Sequence, residues 1–217
     1  MQKQEVLKVL KEAKENSKKR NFNQTVDMIV NLKDLNLKKP EQQVDQFIGL
    51  HFPRGKENKV CAFVGPELKE QSEKVFDKTI YVEDFAAYAK DKKAVKKLAD
   101  EFDYFVAQAN LMGQVAATFG RVLGPRGKMP NPKAGCVVPP KAALAPLLET
   151  LKKMVRGTAK KAMMIQVAVG SESQSEAEVV DNVMTFYNTL THHLPKEHHN
   201  VKEVYLKLTM GKPVKLE

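Results

Sequence analysis

Tryptophan is absent from this sequence of 217 residues, and aromatic residues as a whole make up only 7% of it. Few flat side chains are therefore available for stacking on the bases of a nucleic acid. Cysteine is also scarce, and Cys61 and Cys136 belong to no paired motif and have no neighbouring His or Asp that would indicate a nucleophile. This usage is typical of small buried thiols in a reducing compartment rather than of a disulfide scaffold.

Long apolar runs are missing as well. No segment approaches the length of about 20 residues that a membrane-spanning helix needs. The residues that follow Met1 are polar and charged and have no apolar signal core behind them. The sequence therefore predicts a protein of the cytoplasm.

Positive charge is in excess, with 36 Lys and Arg against 26 Asp and Glu and a formal net charge of +10. Residues 124–135 combine Gly, Pro and cationic side chains so densely that they can form neither a helix nor a central strand. We expect an exposed basic loop here, with Arg126, Lys128 and Lys133 as its cations. A rigid cationic loop in a basic chain indicates an anionic polymer as partner and favours RNA.

The two ends of the chain share one pattern, in which apolar and polar residues alternate as in half-exposed strands. The amphipathic helix at the start ends in a basic cluster of Lys18, Lys19 and Arg20, where the helix dipole favours cations. The elements predicted from this pattern are a helix over 3–19, strands over 25–33, 44–52, 163–169 and 204–210, and a helix of about five turns that begins with a capping box at Ser175 and ends before Pro195.

The middle of the chain differs, because its strands are short and almost continuously apolar. Alternation of such strands with amphipathic helices is typical of a small parallel sheet covered on both faces, a Rossmann-like unit. The predicted elements are strands over 60–64, 79–82 and 104–107, helices near 68–76 and 95–102, and a last helix with its apolar stripe from Leu144 to Met154, which begins near Pro146.

These two patterns predict a fold of mixed α/β and α+β class with two domains. Residues 1–58 and 156–217 would form a discontinuous α+β domain, an antiparallel sheet with helices. Residues 59–155 would form an inserted Rossmann-like parallel α/β domain.

The segment from Arg20 to Thr25 offers a cation for phosphate, the aromatic face of Phe22 and a hydroxyl group, a mixture suited to an RNA minor groove or to unstacked bases. The alternative is a basic helix end followed by a core phenylalanine. If the first and last strands are neighbours, Lys207 and Lys212 extend the basic surface of Arg20.

Enzymatic motifs are incomplete. Gly124 to Lys128 resembles part of a phosphate loop, but the GxxxxGK motif with a following Ser or Thr is absent, and Gly65-Pro66 stands where a dinucleotide fingerprint would follow a strand. Four histidines lie close together in the sequence near the end of the last predicted helix. We interpret them as a solvated helix end rather than as a metal site, because no Cys accompanies them. We expect no catalytic residues, no metal and no cofactor. The cluster consists of four of the five histidines: His192, His193, His198 and His199.

Three segments together resemble the signature of the L-one family of ribosomal proteins in its archaeal form: residues 124–135, Arg20-Asn21-Phe22 and Lys207-Leu208-Thr209-Met210-Gly211. The resemblance runs over the whole chain. It implies a structural protein of the large ribosomal subunit that clamps large-subunit rRNA with its terminal domain and builds the mobile stalk at the tRNA exit site. It further implies that the protein assists release of deacylated exit-site tRNA, represses translation of its own mRNA and is a monomer when free.

The resemblance also implies which residues contact RNA. Thr209, Met210 and Gly211 would form the centre of the surface, with a hydroxyl for ribose, a side chain packed on sugars or base edges, and a close backbone approach. The alternative from pattern alone is a strand end and a turn, in which Met210 lies in the core and Gly211 supplies a positive φ. The surrounding residues of the implied surface are Glu12, Arg20, Phe22, Thr25, Lys161, Gln166, Lys207 and Lys212.

The sequence departs from the bacterial form of the family at three positions of this surface and its surroundings. Asn21 stands where a lysine is expected, Glu203 where a small hydroxyl residue is common, and Gln166 where histidine is common; Arg20 and Lys161 could replace the lost charge. Two other functions stay open on the sequence, an RNA-binding regulator that does not reside on ribosomes and a nucleotide-dependent enzyme that uses the inserted domain.

Overall fold

The computed structural model describes residues 1–140 and 142–216. The chain forms two compact units: unit 1 is Met1–Glu57 with the chain from Lys153 onwards, and unit 2 is Asn58–Lys152. In chain order the helices and strands are α1 (Lys3–Glu15), β1 (Thr25–Leu32), β2 (Val44–Gly49), β3 (Val60–Val64), α2 (Lys69–Val75), β4 (Lys78–Tyr81), α3 (Phe85–Lys90), α4 (Lys92–Glu101), β5 (Tyr104–Gln108), α5 (Met112–Leu123), β6 (Val137–Val138), α6 (Leu144–Lys153), β7 (Met154–Ala159), β8 (Met164–Ser171), α7 (Glu176–His193), β9 (Val201–Leu208) and β10 (Val214–Lys215).

Unit 1 is built on an antiparallel sheet in the order β10-β9-β1-β8, with β2 and β7 as a separate antiparallel pair. Alternate residues of β1, such as Val26, Met28 and Val30, are fully buried, as strand geometry requires of a face packed on a core. Helix α1 packs against α7 and β9, and α7 packs against β8. The intervening residues of β1, among them Asp27 and Ile29, remain half-exposed, so the sheet has one core face and one open face.

Unit 2 is a parallel sheet in the order β4-β3-β5-β6. All of β3 is buried, because helices cover a parallel sheet on both faces. Phe63 lies at the centre of an aromatic cluster, with ring centroids 5.8 Å from Phe85, 5.7 Å from Phe105 and 4.5 Å from Phe119. The predicted fold class, an antiparallel α+β unit and a parallel α/β unit, is confirmed.

Several predicted boundaries are wrong: β2 ends at Gly49 rather than at residue 52, and β9 spans Val201–Leu208 rather than 204–210. Helix α1 ends at Glu15, so the basic cluster of residues 18–20 follows the helix; the Gln24 side chain donates to the Ser17 hydroxyl at 3.1 Å and to the Lys18 carbonyl at 3.5 Å, and so holds this segment outside the helix. Met154, predicted on the stripe of a helix, begins β7 and pairs with Gly49. Because Met154 pairs with β2, helix α6 ends at Lys153.

Several elements were not predicted from the sequence. They are α3, α5, β7 and the two-residue strands β6 and β10. Helix α6 begins two residues before Pro146, and proline is tolerated there because a first-turn amide has no partner within its own helix. Within the part of the chain that the structure describes, helices with the length and apolar composition to cross a bilayer are not found.

A charged cluster links β2 to β7 in unit 1. The Arg156 guanidinium donates to both carboxylate oxygens of Asp45, at 2.8 Å and 2.9 Å, and the Lys160 ammonium lies 2.7 Å from the same carboxylate. The hydrogen bond from Arg156, together with that from Lys160, lowers the pKa of Asp45 to about 2. A lowered pKa means that the folded protein stabilises the ionised carboxylate.

We expect Asp45→Asn to lower the free energy of unfolding by about 1–2 kcal/mol at pH 7, discounted because the Asp45 side chain is 24% exposed. The contribution is complete above the unfolded pKa of about 4 and is lost as the pH falls through the folded pKa. Urea unfolding of both proteins between pH 7 and pH 2 measures the difference. The exposed Glu15 offers a control, Glu15→Gln, and a difference between Asp45→Asn and the parent that persists unchanged at pH 2 contradicts the assignment.

Candidate nucleic-acid interface

The start of β1 and the end of β9 meet at one edge of unit 1, where Val26 pairs with Leu208. The hydroxyl oxygens of Thr25 and Thr209 are 2.9 Å apart, and the Thr25 amide donates to the Thr209 hydroxyl at 2.9 Å. The Thr209 amide donates in turn to the Thr25 carbonyl at 3.1 Å. Both predicted hydroxyl groups therefore lie side by side. We call this edge the strand-end surface; its residues are Arg20, Phe22, Thr25, Thr209, Met210, Gly211 and Lys212.

The strand-end surface exposes two large apolar side chains. Met210 is 59% exposed and Phe22 is 51% exposed. The alternatives that placed Met210 and Phe22 in the core are therefore wrong. Exposed apolar patches rimmed by polar residues are a feature of interaction surfaces. Two residues lie between Phe22 and Thr25, so their Cα atoms are at most about 11 Å apart.

Gly211 occupies the turn after β9, and its amide donates to the Leu208 carbonyl at 2.9 Å. The glycines of positive φ are Gly55, Gly127 and Gly135, so the alternative that Gly211 supplies a positive φ is wrong. A Cβ at Gly211 would lie 3.3 Å from the Leu208 Cβ and 3.4 Å from its nitrogen. The tight approach of the turn to β9 favours glycine at this position.

The open face of the sheet continues from the strand-end surface. Asp27, Gln166 and Lys207 line a depression of about 340 Å³ on this face. Asp27 pairs with Lys207 on β9, and Gln166 pairs with Ile29. Burial raises the pKa of Asp27, and a hydrogen bond from Thr25 and the charge of Lys207 act in the opposite direction. The open face thus offers an acceptor, an amide and a cation within one depression.

The remaining predicted residues of unit 1 are spread out. Lys161 lies in the turn that joins β7 to β8, next to Met163, whose carbonyl accepts a hydrogen bond from the Leu32 amide at 2.8 Å. This is the far end of β1 from Thr25, about 20 Å away at strand rise. Glu12 is exposed on the last turn of α1. The structure therefore brings Thr25 and Thr209 together but does not place Lys161 at their side.

The basic loop of unit 2 uses two of its cations internally. The Lys128 ammonium donates to the carbonyls of Ala99 at 2.9 Å and of Phe102 at 2.8 Å, and so binds the C-terminal end of α4. Arg126 donates to the carboxylate of Asp100. The prediction of an exposed cation is wrong for Lys128, because orphan carbonyls at a helix end attract an ammonium group. Lys133 is exposed, as predicted.

Gln24 and Asn23, which hold the strand-end surface in place, were not identified from the sequence pattern. The side chain of Gln24 is fully buried and accepts a hydrogen bond from the Met210 amide at 3.1 Å. Asn23 donates to the Ser173 hydroxyl at 2.8 Å. Single polar residues just before a strand belong to no periodic pattern, so pattern analysis passes over them.

The crevice of unit 2 lies at the carboxyl ends of β3 and β5, where α/β sheets bind nucleotides. It has a volume of about 450 Å³. The Gly65 amide, which would face a phosphate, donates to the Gln108 side chain at 2.9 Å, and the Gln108 amide donates to Glu67 at 2.9 Å. Glu67 and Glu83 both line the crevice, and carboxylates repel phosphate. The residues present therefore do not fit a nucleotide.

The thiols and histidines add no catalytic or metal centre to this description. Burial raises the pKa of Cys61 to about 12 and that of Cys136 to about 11, which keeps both thiols protonated and unreactive. The His198 ring stacks on Tyr187 at a centroid distance of 5.7 Å, and the His193 ring lies 2.7 Å from the Thr189 carbonyl. Groups of three His, Cys, Asp or Glu side chains arranged as metal ligands are not found in residues 1–140 and 142–216.

Unit 1 presents an antiparallel sheet with one open polar face, and the residues that line the crevice of unit 2 do not fit a nucleotide. Residues 10–212 match the ribosomal protein L1p/L10e family, and the chain belongs to that family. The resemblance found in the sequence is confirmed, and the chain is a ribosomal protein of the large subunit and not an enzyme. The predicted location on cytoplasmic ribosomes is confirmed on the same ground.

Archaeal relatives match along almost their whole length. The chain is 40% identical to the large ribosomal subunit protein uL1 of Methanothermococcus thermolithotrophicus over 217 residues, with 100% of both chains covered. It is 42% identical to that of Methanobrevibacter smithii over 214 residues, covering 98% of this chain and 99% of the relative. Identity to the protein of Thermococcus kodakarensis is 38% over 215 residues, covering 99% and 97%.

The internal contacts of Lys128 lead to a stability prediction. Lys128→Met should lower the free energy of unfolding by about 1–2 kcal/mol, because two carbonyls at the end of α4 lose a charged donor. Lys133→Met removes an exposed cation of the same loop and should change the free energy of unfolding by less than about 0.5 kcal/mol. Thermal unfolding followed by circular dichroism compares the two variants. Equal stability of both would show that Lys128 does not support α4.

Proposed function

We propose that the protein binds large-subunit rRNA through the strand-end surface and the adjoining open face of unit 1. The observation that carries the proposal is the Thr25–Thr209 hydroxyl pair, with an oxygen–oxygen distance of 2.9 Å, beside the exposed side chains of Met210 and Phe22. It rests also on membership of the ribosomal protein L1p/L10e family. By this proposal unit 1 is the RNA-binding domain.

Each part of the surface suits a different part of RNA. A hydroxyl such as that of Thr209 bonds the ribose 2′-hydroxyl, which DNA lacks, and the turn at Gly211 lets the backbone come close. Met210 and Phe22 pack on sugars or unstacked bases. Arg20 and Lys212 are exposed and contact phosphates, which position the RNA without reading its sequence.

The finer part of the proposal concerns the place of the protein on the ribosome. Bound to a folded rRNA stalk, the protein forms the mobile stalk at the tRNA exit site, where it contacts deacylated tRNA and assists its release. Because the same surface recognises RNA shape, it also binds a stalk-like segment of its own mRNA and represses its translation. Support for these steps comes from the family resemblance together with the RNA chemistry of the strand-end surface.

Apolar contacts and phosphate contacts should have different effects in binding measurements. Met210→Ala should weaken binding to a large-subunit rRNA transcript by about 1–3 kcal/mol and leave the salt dependence unchanged, because an apolar contact releases no counterions. Lys212→Ala should flatten the slope of log affinity against log salt by roughly one counterion. Titrations at several salt concentrations, with random RNA of equal length alongside, measure both effects.

Met163 provides a matched control, because it is 47% exposed and lies at the far end of β1. Met163→Ala should bind as the parent protein does. Melting temperatures should be nearly equal, since Met163 and Met210 both lie outside the core. If the Met210 and Met163 variants bind equally well, the strand-end surface is not where rRNA is recognised.

The assignment of binding to unit 1 predicts that unit 2 can be removed. Glu57 and Lys153 joined by a short Gly-Ser linker should give a protein that keeps specific rRNA binding. The junction is suitable because the Leu50 amide donates to the Lys153 carbonyl at 3.0 Å, which holds the two chain segments together. Circular dichroism verifies folding, and Met210→Ala in the shortened chain is the negative control. A folded shortened chain that loses rRNA binding would assign recognition to unit 2.

A further inference from the structure

Gln24 is the buried polar residue directly before β1, and its side chain lies beneath the strand-end surface. The Gln24 side chain is fully buried. A buried amide group must have its donors and its acceptor paired, or folding becomes less favourable. The partners of Gln24 therefore show what the residue is placed to hold.

The carbonyl end of the Gln24 side chain faces the turn after β9. Its Oε1 accepts a hydrogen bond from the Met210 amide at 3.1 Å. The neighbouring Thr209 amide is bound by the Thr25 carbonyl, at 3.1 Å. Two successive amides of the turn are therefore bound by two successive residues at the start of β1, and the backbone that carries the exposed Met210 side chain is fixed.

The amide end of the same side chain faces the opposite way. Its Nε2 donates to the Ser17 hydroxyl at 3.1 Å and to the Glu172 carboxylate at 3.3 Å. The Lys18 carbonyl lies 3.5 Å from the same nitrogen. The backbone of Gln24 adds a second bond to Glu172, whose amide donates to the Gln24 carbonyl at 2.8 Å. One planar group thus joins the segment after α1, the turn after β8 and the turn after β9.

We propose that Gln24 is a positioning residue of the RNA-binding surface. It sets the turn of Met210 against the basic segment that begins at Ser17 and runs to Arg20, so that apolar and phosphate contacts reach one RNA at the same time. The inference rests on the proposed function of this surface. A side chain with an acceptor at one end and two donors at the other suits this position, because the Met210 amide needs an acceptor and Glu172 needs a donor.

The first test is a double-mutant cycle of Gln24→Met and Met210→Ala, with rRNA affinity measured far below the melting temperature of every variant. Gln24→Met should weaken specific rRNA binding about tenfold, with little change for random RNA. If Gln24 acts by placing Met210, the rRNA affinity of the double variant should be close to that of the single variant that binds more weakly. A merely structural residue would give additive losses in the cycle.

The second test exchanges the donor and the acceptor of the hydrogen bond between Gln24 and Glu172. Gln24→Glu keeps an acceptor for the Met210 amide but brings two carboxylates together at Glu172, and it should weaken specific binding. Adding Glu172→Gln supplies a donor to the new carboxylate and should recover most of the affinity. Glu172→Gln alone is the matched control for the change at that position.

The outcomes separate the two proposals. If the unmodified protein binds rRNA and random RNA equally, the proposed function fails and the inference fails with it. If the unmodified protein prefers rRNA and a folded Gln24→Met binds equally well, the proposed function stands and the positioning role of Gln24 is wrong. Additive losses in the cycle, or no recovery on exchange, overturn that role as well.

Discussion

The central position of β1 in the sheet of unit 1 is the constraint on which the rest of the structure depends. Thr25 pairs with Ser171 on one side, and Val26 pairs with Leu208 on the other. Both partners come from the far half of the chain, so the sheet of unit 1 completes only when both ends have met. Such non-local pairing closes long loops and is slow to form. It also explains why the strand-end surface is assembled from both ends of the sequence.

Buried amide side chains fix the loops that this topology leaves between strands. Asn182 on α7 accepts from the Phe52 amide at 3.0 Å and donates to the carbonyls of Phe52 and Val169 at 3.0 Å and 2.9 Å. Asn200 accepts from the Lys196 amide at 2.7 Å and donates to the Lys33 carbonyl at 3.0 Å. Each group is satisfied at both ends, as Gln24 is. Satisfied buried amides give one defined loop geometry, because every alternative leaves a polar group unpaired.

The alternation of apolar and polar residues predicted the helices and strands that pack one face against a core. The alternation in β1 and the cap at Ser175 are local signals, and the structure has both elements where the sequence places them. The end of α1, the strand that begins at Met154 and the internal contacts of Lys128 depend on partners distant in the sequence, and no local pattern records them. For the candidate site, the residue types pointed to RNA, but whether Met210 was buried or exposed depended on the tertiary turn.

Net charge does not locate binding in this protein, because each unit uses some of its cations in its own internal contacts. In unit 2, Lys128 neutralises a helix end and Arg126 pairs with Asp100, so part of the basic loop serves the fold. In unit 1, Lys207 stands on an open sheet face beside Asp27, and Lys212 is exposed at the strand end. A cation held by carbonyls must break those bonds before it can bind phosphate, whereas an exposed cation loses only hydration and counterions. Local hydrogen bonding therefore decides which basic residues are available to an anionic partner: Lys212 in unit 1 and Lys133 in unit 2 are exposed, whereas Lys128 is held by carbonyls.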